Sequence, residues 1–214
     1  MAIQLLGLDG TTIASIDPQH KAVQTSSRPL ESLAWISVGA PSGALTGVTA
    51  NLPIFSFRNI SANLIAVRRV GVGFITTTIF TTAQIIDFGL IVARAFTVSD
   101  SGGTAIALTG SNGKNRTSLG SLTSVDCRIS TTANISAGTK TLDANHLAQI
   151  GTWSGAAGTQ LTPALDNLLS QGSASYPLIL AQNEGFNIMN ITAMGAAGVI
   201  RAYVNIELAE AGSY

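Results

Sequence analysis

The sequence predicts an all-β protein: a two-sheet β-sandwich, jelly-roll-like or a related Greek key, with an extended N-terminal arm and at most one or two short helices. Three observations support this fold class. Thr, Ser, Ile and Gly are all abundant among the 214 residues and only 10% of the chain is charged, a composition typical of strands and tight turns. Roughly eight to ten short apolar segments are separated by turn residues. The last of these segments alternates apolar and polar residues with a period of two.

The N-terminal region is predicted to be an extended arm over residues 1–50, followed by one sandwich domain over residues 51–214. Three prolines interrupt any long element in the arm, namely Pro18, Pro29 and Pro41. A short strand is expected at Leu33–Val38. A chain of this length is expected to form one main domain with a single core.

The first core strands are predicted where β-branched and aromatic residues become frequent, at Leu52–Arg58, Leu64–Thr78 and Ile85–Val98. Gly71 and Gly73 in the second segment indicate a bulge or a close approach of another backbone. The third segment is apolar at nearly every position. That pattern predicts a strand covered on both faces or bent across a sheet corner.

The middle of the chain alternates turns with shorter elements. Turn residues occupy Ser99–Gly103, an exposed loop is expected at Gly110–Arg116, and a strand at Val125–Ser130. Two segments have helical spacing of apolar residues, Leu142–Ile150 and Thr162–Gln171. Any short helices are therefore expected in these two segments.

The C-terminal third has the clearest pattern. Strands are predicted at Tyr176–Ala181 and Phe186–Met194, and the loop Gln182–Gly185 between them fits a hairpin. In Val199–Leu208 the even-numbered residues from Ile200 are apolar and alternate with Arg201, Tyr203, Asn205 and Glu207. This alternation predicts a strand with one face on the core.

Charge and hydropathy bear on the expected partners. Eleven basic and eleven acidic side chains give a formal net charge of zero, and no run of like charge exceeds Arg68-Arg69. Because phosphate binding needs several clustered Lys or Arg side chains, no nucleic-acid partner is expected. No apolar stretch approaches roughly 18 residues, so no membrane span is expected. A neutral, charge-poor surface favours burial in an oligomer over a free monomer.

The N-terminal residues Met1–Leu6 lack the basic region of a secretory signal. The chain is therefore expected to remain in the cytoplasm in which it is made. Cys127 is the single cysteine, which excludes an internal disulfide framework and predicts a small buried residue.

No catalytic, cofactor or metal site is predicted, and the chain is not expected to be an enzyme. His20 and His146 are far apart and lack zinc-ligand spacing. Cys127 could be combined with His146 and an aspartate, Asp126 or Asp143, but nothing local marks a nucleophile. A glycoside hydrolase needs two facing carboxylates. The available acids are scattered among turns, at Asp87, Asp100, Asp126, Asp143, Asp166 and Glu184.

Two glycine-rich segments lack a nucleotide-binding pattern. Gly110–Asn115 does not have the spacing or the Ser or Thr of a phosphate loop, and Gly71–Gly73 has no third glycine or following helix. Exposed aromatic residues could form a sugar-binding platform, although such residues are more often core or interface anchors. The candidates are Trp35, Trp153, Tyr176, Tyr203 and Tyr214.

Four strings of the sequence resemble uncharacterised proteins from the structural gene blocks of tailed bacteriophages. They are AFTVSDSGGTA at Ala95–Ala105, LTGSNGK at Leu108–Lys114, PLILAQNEGF at Pro177–Phe186 and VNIE at Val204–Glu207. The resemblance covers residues 50–210 and its motifs mark strands of a sandwich. It implies a virion component, a jelly-roll capsid decoration or cement protein. A major capsid protein fits less well, because no long spine helix is predicted and the chain is short.

The resemblance also implies partners and a location. The partners would be the major capsid protein and copies of the chain itself, as a dimer or trimer, on the capsid surface of the virion. Residues 1–50 would lie across a neighbouring subunit. The alternative is a tail or head-fibre module that recognises host glycans. It would use the loops Ser99–Gly103, Gly110–Arg116 or Gly151–Gly158.

Overall fold

The computed structural model describes residues 16–17, 22–23, 35–109, 113–115, 122, 124–154, 166–170 and 177–211. These residues contain fourteen strands and no helix, and none of them forms a helix able to span a membrane. The strands are β1 (Ile16–Asp17), β2 (Ala22–Val23), β3 (Trp35–Pro41), β4 (Leu52–Asn59), β5 (Leu64–Thr78), β6 (Gln84–Phe96), β7 (Thr104–Ala105), β8 (Val125–Ile129), β9 (Lys140–Leu142), β10 (Ala148–Ser154), β11 (Asp166–Ser170), β12 (Leu178–Leu180), β13 (Gly185–Asn190) and β14 (Val199–Ala211).

Two antiparallel sheets contain all strands except the small β1-β2 pair. The five-stranded sheet has the order β3-β14-β5, with β11 and β12 both pairing with the far side of β5. The seven-stranded sheet has the order β7-β8-β4-β13-β6, with β9 and β10 both pairing with β6. Their inner faces share one hydrophobic core, so the predicted two-sheet β-sandwich is confirmed.

The strand order is that of a jelly roll. In chain order, β3, β5 and β14 lie in one sheet and β4, β6 and β13 in the other, so the chain alternates between the two sheets. With β11 and β12 taken together as one strand position, the eight strands of the jelly roll form two packed layers, β3-β14-β5-β11/β12 and β4-β13-β6-β10. Residues 97–147 form an insertion between β6 and β10, and they contribute β7, β8 and β9 to the seven-stranded sheet.

β14, which pairs with β5 along its whole length, shows the alternation of buried and less buried residues that the sequence predicts. Ile200, Val204 and Leu208 are among the alternate residues that are buried, whereas Arg201 is exposed. The register shift between Glu207 and Leu208 places its extra residue, Arg68, in β5, so the alternation of β14 continues to Leu208. The predicted period-two strand is confirmed.

Aromatic rings fill the centre of the sandwich. Phe186 on β13 stacks between Phe55 and Phe57 on β4, with ring centroids 5.8 and 5.4 Å away. Phe74 on β5 meets Phe88 on β6 edge to face at 5.7 Å, which joins the two sheets. These rings are at most 5% exposed, so they contribute a large share of the apolar area buried on folding.

The insertion also protects an edge of the five-stranded sheet. The Ser37 N–H donates to the Gly113 carbonyl at 2.7 Å, and the Asn115 N–H donates to the Trp35 carbonyl at 2.9 Å. Gly113 has a φ of 69°, and a Cβ there would lie 2.2 Å from the Ser37 carbonyl oxygen. A glycine is therefore required where this part of the predicted loop covers the open edge of β3.

The segments with helical spacing do not form helices where the structure describes them. Leu142 ends β9, β10 occupies the end of the first segment, and β11 lies within the second. Leu168 and Leu169 are both buried because the pairing of β11 with β5 shifts register between Asn167 and Leu169. A bulge thus buries consecutive leucines, which in the sequence looked like a helical face.

The predicted hairpin at Gln182–Gly185 is wrong. β12 pairs with β5 in the five-stranded sheet, whereas β13 pairs with β4 and β6 in the seven-stranded sheet. The connection therefore crosses between the sheets. Asn183 has a φ of 64°, an angle that occurs in a tight turn whether the turn joins paired strands or crosses between sheets. The turn residues therefore indicate that the chain reverses here, but they do not determine which strands β12 and β13 pair with.

The sandwich begins within the segment predicted to be the arm. β3 pairs along seven residues with β14, and both Trp35 and Ile36 are 3% exposed. The strand expected at Leu33–Val38 is therefore an edge strand of the core domain. The prediction for residues 1–34 lies outside the described residues, apart from the two short strands β1 and β2.

Replacing Phe186 with alanine tests the aromatic centre. We expect Phe186→Ala to lower the free energy of unfolding by about 3–5 kcal/mol, because it removes a buried ring and leaves a cavity between two others. Urea denaturation monitored by circular dichroism measures this change. The control is Ile60→Ala, at a side chain 42% exposed, for which a change of only about 0.5 kcal/mol is expected. Equal losses in both variants would contradict this account of the core.

Candidate functional site

A buried carboxylate attaches the insertion to the outer face of the seven-stranded sheet. Asp100 Oδ1 pairs with Lys140 Nζ and accepts the Gly138 N–H at 2.6 Å. Asp100 Oδ2 accepts hydrogen bonds from Ser56 Oγ at 2.6 Å and from Asn187 Nδ2 at 2.8 Å. The side chains of Asp100 and Lys140 are 1% and 4% exposed. The ion pair thus joins Asp100 to β9 within the insertion, and the hydrogen bonds from Ser56 on β4 and Asn187 on β13 tie it to the sheet, away from water.

The electrostatic balance at Asp100 favours the ionised form. Burial by itself would raise the pKa of Asp100, but hydrogen bonds from Lys140, Ser56, Gly138 and Asn187 outweigh it, so the pKa is lowered. The four donors to Asp100 lie on β4, on β13 and in the insertion, and both charged groups are buried. We therefore assign this cluster to holding the insertion in place.

Phe96, the last residue of β6, lies beside two cations. Arg58 is 5.7 Å and Lys140 Nζ is 5.3 Å from the centroid of its ring. Arg58 also donates to Ser99 Oγ at 2.8 Å and to Asn183 Oδ1 at 2.7 Å. The start of the Ser99–Gly103 turn and the connection between β12 and β13 are therefore both tied to β4.

The residues considered for nucleophilic catalysis are not brought together. Cys127 is 2% exposed and lies in the core between the sheets; burial first, and then the charge of Asp126, raise the pKa of its thiol. His146 covers Gly89, where a Cβ would lie 2.3 Å from its Cδ2. Since Phe88 and Leu90 face the core, His146 lies on the opposite face of the sheet.

Each candidate carboxylate whose side chain the structure describes has a structural partner, and Asp143 and Glu184 share Arg94, which lies 4.0 Å from Glu184. Asp143 pairs with Arg94 at 2.9 Å and Asp126 with Arg128 at 2.8 Å. Glu184 accepts the Ala181 N–H at 2.8 Å. Within the described part of the chain, no three His, Cys, Asp or Glu residues are grouped as metal ligands. Asp166 belongs to β11, but its side chain lies outside the description.

One groove crosses the outer face of the five-stranded sheet. We call it the glycine groove; it encloses about 430 Å³ and is lined by Gly39, Ala40, Pro41, Gly73, Phe74, Ile75, Tyr203 and Asn205. A Cβ at Gly39 would lie 2.7 Å from Asn205 Oδ1, so the carboxamide lies over this glycine. A second pocket continues past Gly39 and Asn205 towards Arg69 and Glu207. Gly73 pairs with Tyr203 across the groove floor.

A second groove lies on the outer face of the seven-stranded sheet, at its β10 edge. We call it the Trp153 groove; it also encloses about 430 Å³ and is lined by Ile85, Asp87, Gln149, Ile150, Gly151, Thr152, Trp153 and Ile191. Trp153 is 52% exposed and Ile85 45% exposed, and the two residues are directly opposite on β10 and β6. An exposed aromatic, an aliphatic and a carboxylate thus share one concave surface.

The other aromatic candidates have different surroundings. Trp35 is 3% exposed and its ring lies 5.3 Å from the guanidinium of Arg68, while Tyr203 belongs to the glycine groove. Tyr176 and Tyr214 lie outside the described residues. Ile85 and Gln149 were not predicted as site residues. Ile85 and Asp87 are two positions apart, so the sequence places them on the same face of a strand. The burial of Ile86 and Phe88 shows that this face points outward.

Comparison with protein-family models, with curated proteins and with solved structures finds no match for this chain.

The ion pair can be tested with a double-mutant cycle. Asp100→Asn leaves Lys140 buried without its carboxylate, so we expect a loss of about 3–5 kcal/mol in the free energy of unfolding. The double variant Asp100→Asn/Lys140→Met should lose less than the sum of the two single variants, with a coupling of about 1–3 kcal/mol. Chemical denaturation measures all four proteins. Strict additivity would contradict a direct interaction.

The lowered pKa of Asp100 also predicts how stability depends on pH. Below its ordinary value of 3.8 the unfolded chain binds a proton that folded Asp100 does not, so the free energy of unfolding falls as the pH falls through this region. Above it, the contribution is fully present. We expect Asp100→Asn to decline less steeply below about pH 4. Ile60→Ala should run parallel to the native protein, and three parallel curves would disprove the assignment.

Proposed function

We propose that this chain is a capsid decoration or cement protein of a tailed bacteriophage, bound to the outside of the shell as a homodimer or homotrimer and bridging neighbouring major capsid proteins. The resemblance of the quoted strings to phage structural proteins supports this proposal. The jelly-roll strand order agrees with the fold that the resemblance implies. The charge-poor composition, 10% of residues, favours a protein whose surface is covered in an assembly.

The main supporting observation is the outer face of the five-stranded sheet. There β3, β14 and β5 present the glycine groove, whose lining residues are uncharged. Gly39 and Gly73 carry no side chains, so part of the groove floor is bare backbone. Such a surface suits a neighbouring subunit, since interface centres are depleted of charge.

The N-terminal segment would contribute to this bridging. Residues 1–34 continue from Trp35, the first residue of β3, and β3 lines the glycine groove. An extended segment leaving this position can reach a subunit packed on the same face, and it can bind there through backbone hydrogen bonds. The sequence predicted this role for residues 1–50; residues 35–41 form β3 of the sandwich, and the role of residues 1–34 stays a prediction.

The proposed mechanism is mechanical. A stable protein–protein interface buries about 800 Å² on each partner, and a subunit that contacts two neighbours links them. When linked sites are bound together, the combined affinity exceeds that of either contact alone. A decoration protein therefore needs a rigid body between its contact surfaces. The shared aromatic core and the buried attachment of the insertion supply such a body.

Reconstitution on virus particles tests the proposal. Particles of the virus that encodes this chain, prepared without it, should bind the purified protein in a fixed ratio and should lose their genome at a higher temperature once it is bound. Cryo-electron microscopy should place the added density across neighbouring capsid subunits. Density confined to the tail or to a fibre tip, or an unchanged release temperature, would refute the cement function.

A charge placed in the glycine groove tests the binding face. Ile75 lies on the outer side of β5 next to Arg201, so Ile75→Lys adds a second positive charge beside that arginine. We expect it to weaken binding to the particles about tenfold or more, because charge is depleted in interface centres. The matched control is Val98→Lys, at a side chain 55% exposed elsewhere. Circular dichroism verifies folding of both. Equal binding by the two variants would exclude the glycine groove as the contact.

A further inference from the structure

The Trp153 groove combines the groups that a neutral sugar needs. One face of a pyranose ring carries C–H groups, and its edge carries hydroxyls. Trp153 offers an open aromatic surface beside Ile85, and Asp87 and Gln149 line the same groove. Binding sites for small polar molecules have this composition, an apolar wall with a few fixed polar groups.

The carboxylate of Asp87 is held in place before any ligand binds. Its two oxygens accept the N–H of Thr192 at 2.8 Å and the Oγ1 of Thr192 at 2.9 Å. Each carboxylate oxygen can accept a further hydrogen bond. Asp87 can therefore accept from ligand hydroxyls without reorganising, which reduces the cost of binding.

The register of β6 and β10 sets the spacing of these groups. Trp153 is opposite Ile85, Gly151 is opposite Asp87, and Gln149 is opposite Gly89. A Cβ at Gly151 would lie 3.1 Å from the Asp87 Cβ, so the glycine gives the Asp87 side chain room between Trp153 and Gln149 in the register of the two strands. Gln149 Nε2 is itself 3.1 Å from His146 Nδ1. An aromatic, a carboxylate and an amide thus follow one another along one face of the strand pair.

We propose that this groove binds a neutral hexose of a glycan, with the sugar ring on Trp153 and its hydroxyls hydrogen-bonded to Asp87 and Gln149. The site lies on strands Gln84–Phe96 and Ala148–Ser154 and does not include the turn at Ser99–Gly103. It goes beyond the capsid function and does not require it. On a particle surface, many copies of a weak sugar site would act together.

A second copy of the chain is a less suitable occupant. A protein interface of standard size buries about 800 Å² per partner. In the Trp153 groove, the exposed side chains of Trp153 and Ile85 lie beside Asp87, whose carboxylate already accepts hydrogen bonds from Thr192. Charged residues are depleted at the centres of protein interfaces, whereas one carboxylate beside an aromatic ring suits a small polyhydroxylated ligand. Among the residues that the structure describes, Asp87 is the only charged one lining the groove, so sugars that carry acidic groups should bind more weakly.

The experiment is a microarray of oligosaccharides containing glucose, galactose, mannose or N-acetylhexosamines, with sialylated members as the acidic comparison. The purified full chain is applied, and the best neutral ligand is then titrated in solution. Trp153 and the buried Trp35 are the two tryptophans of the chain, so binding should change the intrinsic fluorescence of the exposed one. We expect Trp153→Ala to lose about tenfold or more in affinity, and Asp87→Asn and Gln149→Ala to lose less.

Two controls separate this site from general effects. Tyr203→Ala removes an aromatic side chain from the glycine groove, and Val98→Ala removes an exposed apolar one elsewhere. Both should bind the sugar as the native chain does. The inference is overturned if no neutral oligosaccharide binds, or if Trp153→Ala binds as well as the native chain. It is also overturned if Trp153→Ala changes the oligomeric mass in analytical ultracentrifugation, because the groove would then be a contact between copies. Capsid binding is measured separately, so failure here leaves the cement proposal standing.

Discussion

The ion pair between Asp100 and Lys140 is the interaction on which the outer layer of this protein depends. A jelly roll needs only two sheets, and each sheet would normally leave one face to solvent. Here the insertion covers part of the outer face of the seven-stranded sheet, and four donors meet the Asp100 carboxylate under it. Because both charges are buried, removing one partner costs more than the pair contributes. The arrangement is therefore sensitive to any change that separates Asp100 from Lys140, or from Ser56 and Asn187 on the sheet.

This extra layer determines which surfaces stay accessible. Part of the seven-stranded sheet is covered, and the edge of β3 is protected by Gly113–Asn115. The two grooves are on the remaining outer faces, one on each sheet. They differ in chemistry: the glycine groove is uncharged, whereas the Trp153 groove combines an aromatic ring with a carboxylate. This difference is the physical basis for proposing subunit packing on one face and sugar binding on the other.

Several elements were predictable because local pattern and tertiary environment agree. β5 was predicted at its observed bounds, Leu64–Thr78, and β14 was recognised from its alternation, since one of its faces packs on the core. The failures share a cause. Leu168 and Leu169 resembled a helical face because a bulge buries them together. Trp153 and Asp87 of the Trp153 groove were both candidates in the sequence, but for separate sites. They belong to β10 and β6, which are far apart in the chain, so the sequence did not show that they share one groove.

The sequence by itself determined the fold class, most strand positions and the places where the chain turns, because these depend on side-chain periodicity and on residues that accept unusual backbone angles. Only the tertiary structure decided which strands pair, that the chain crosses between sheets after Leu180, and that Asp100 meets Lys140. The register of β6 against β10 likewise brought Trp153 to Ile85 and Asp87 to Gly151. Pairing is a competition among many strands with similar local patterns, and it is resolved by the burial of the whole core rather than by any one segment.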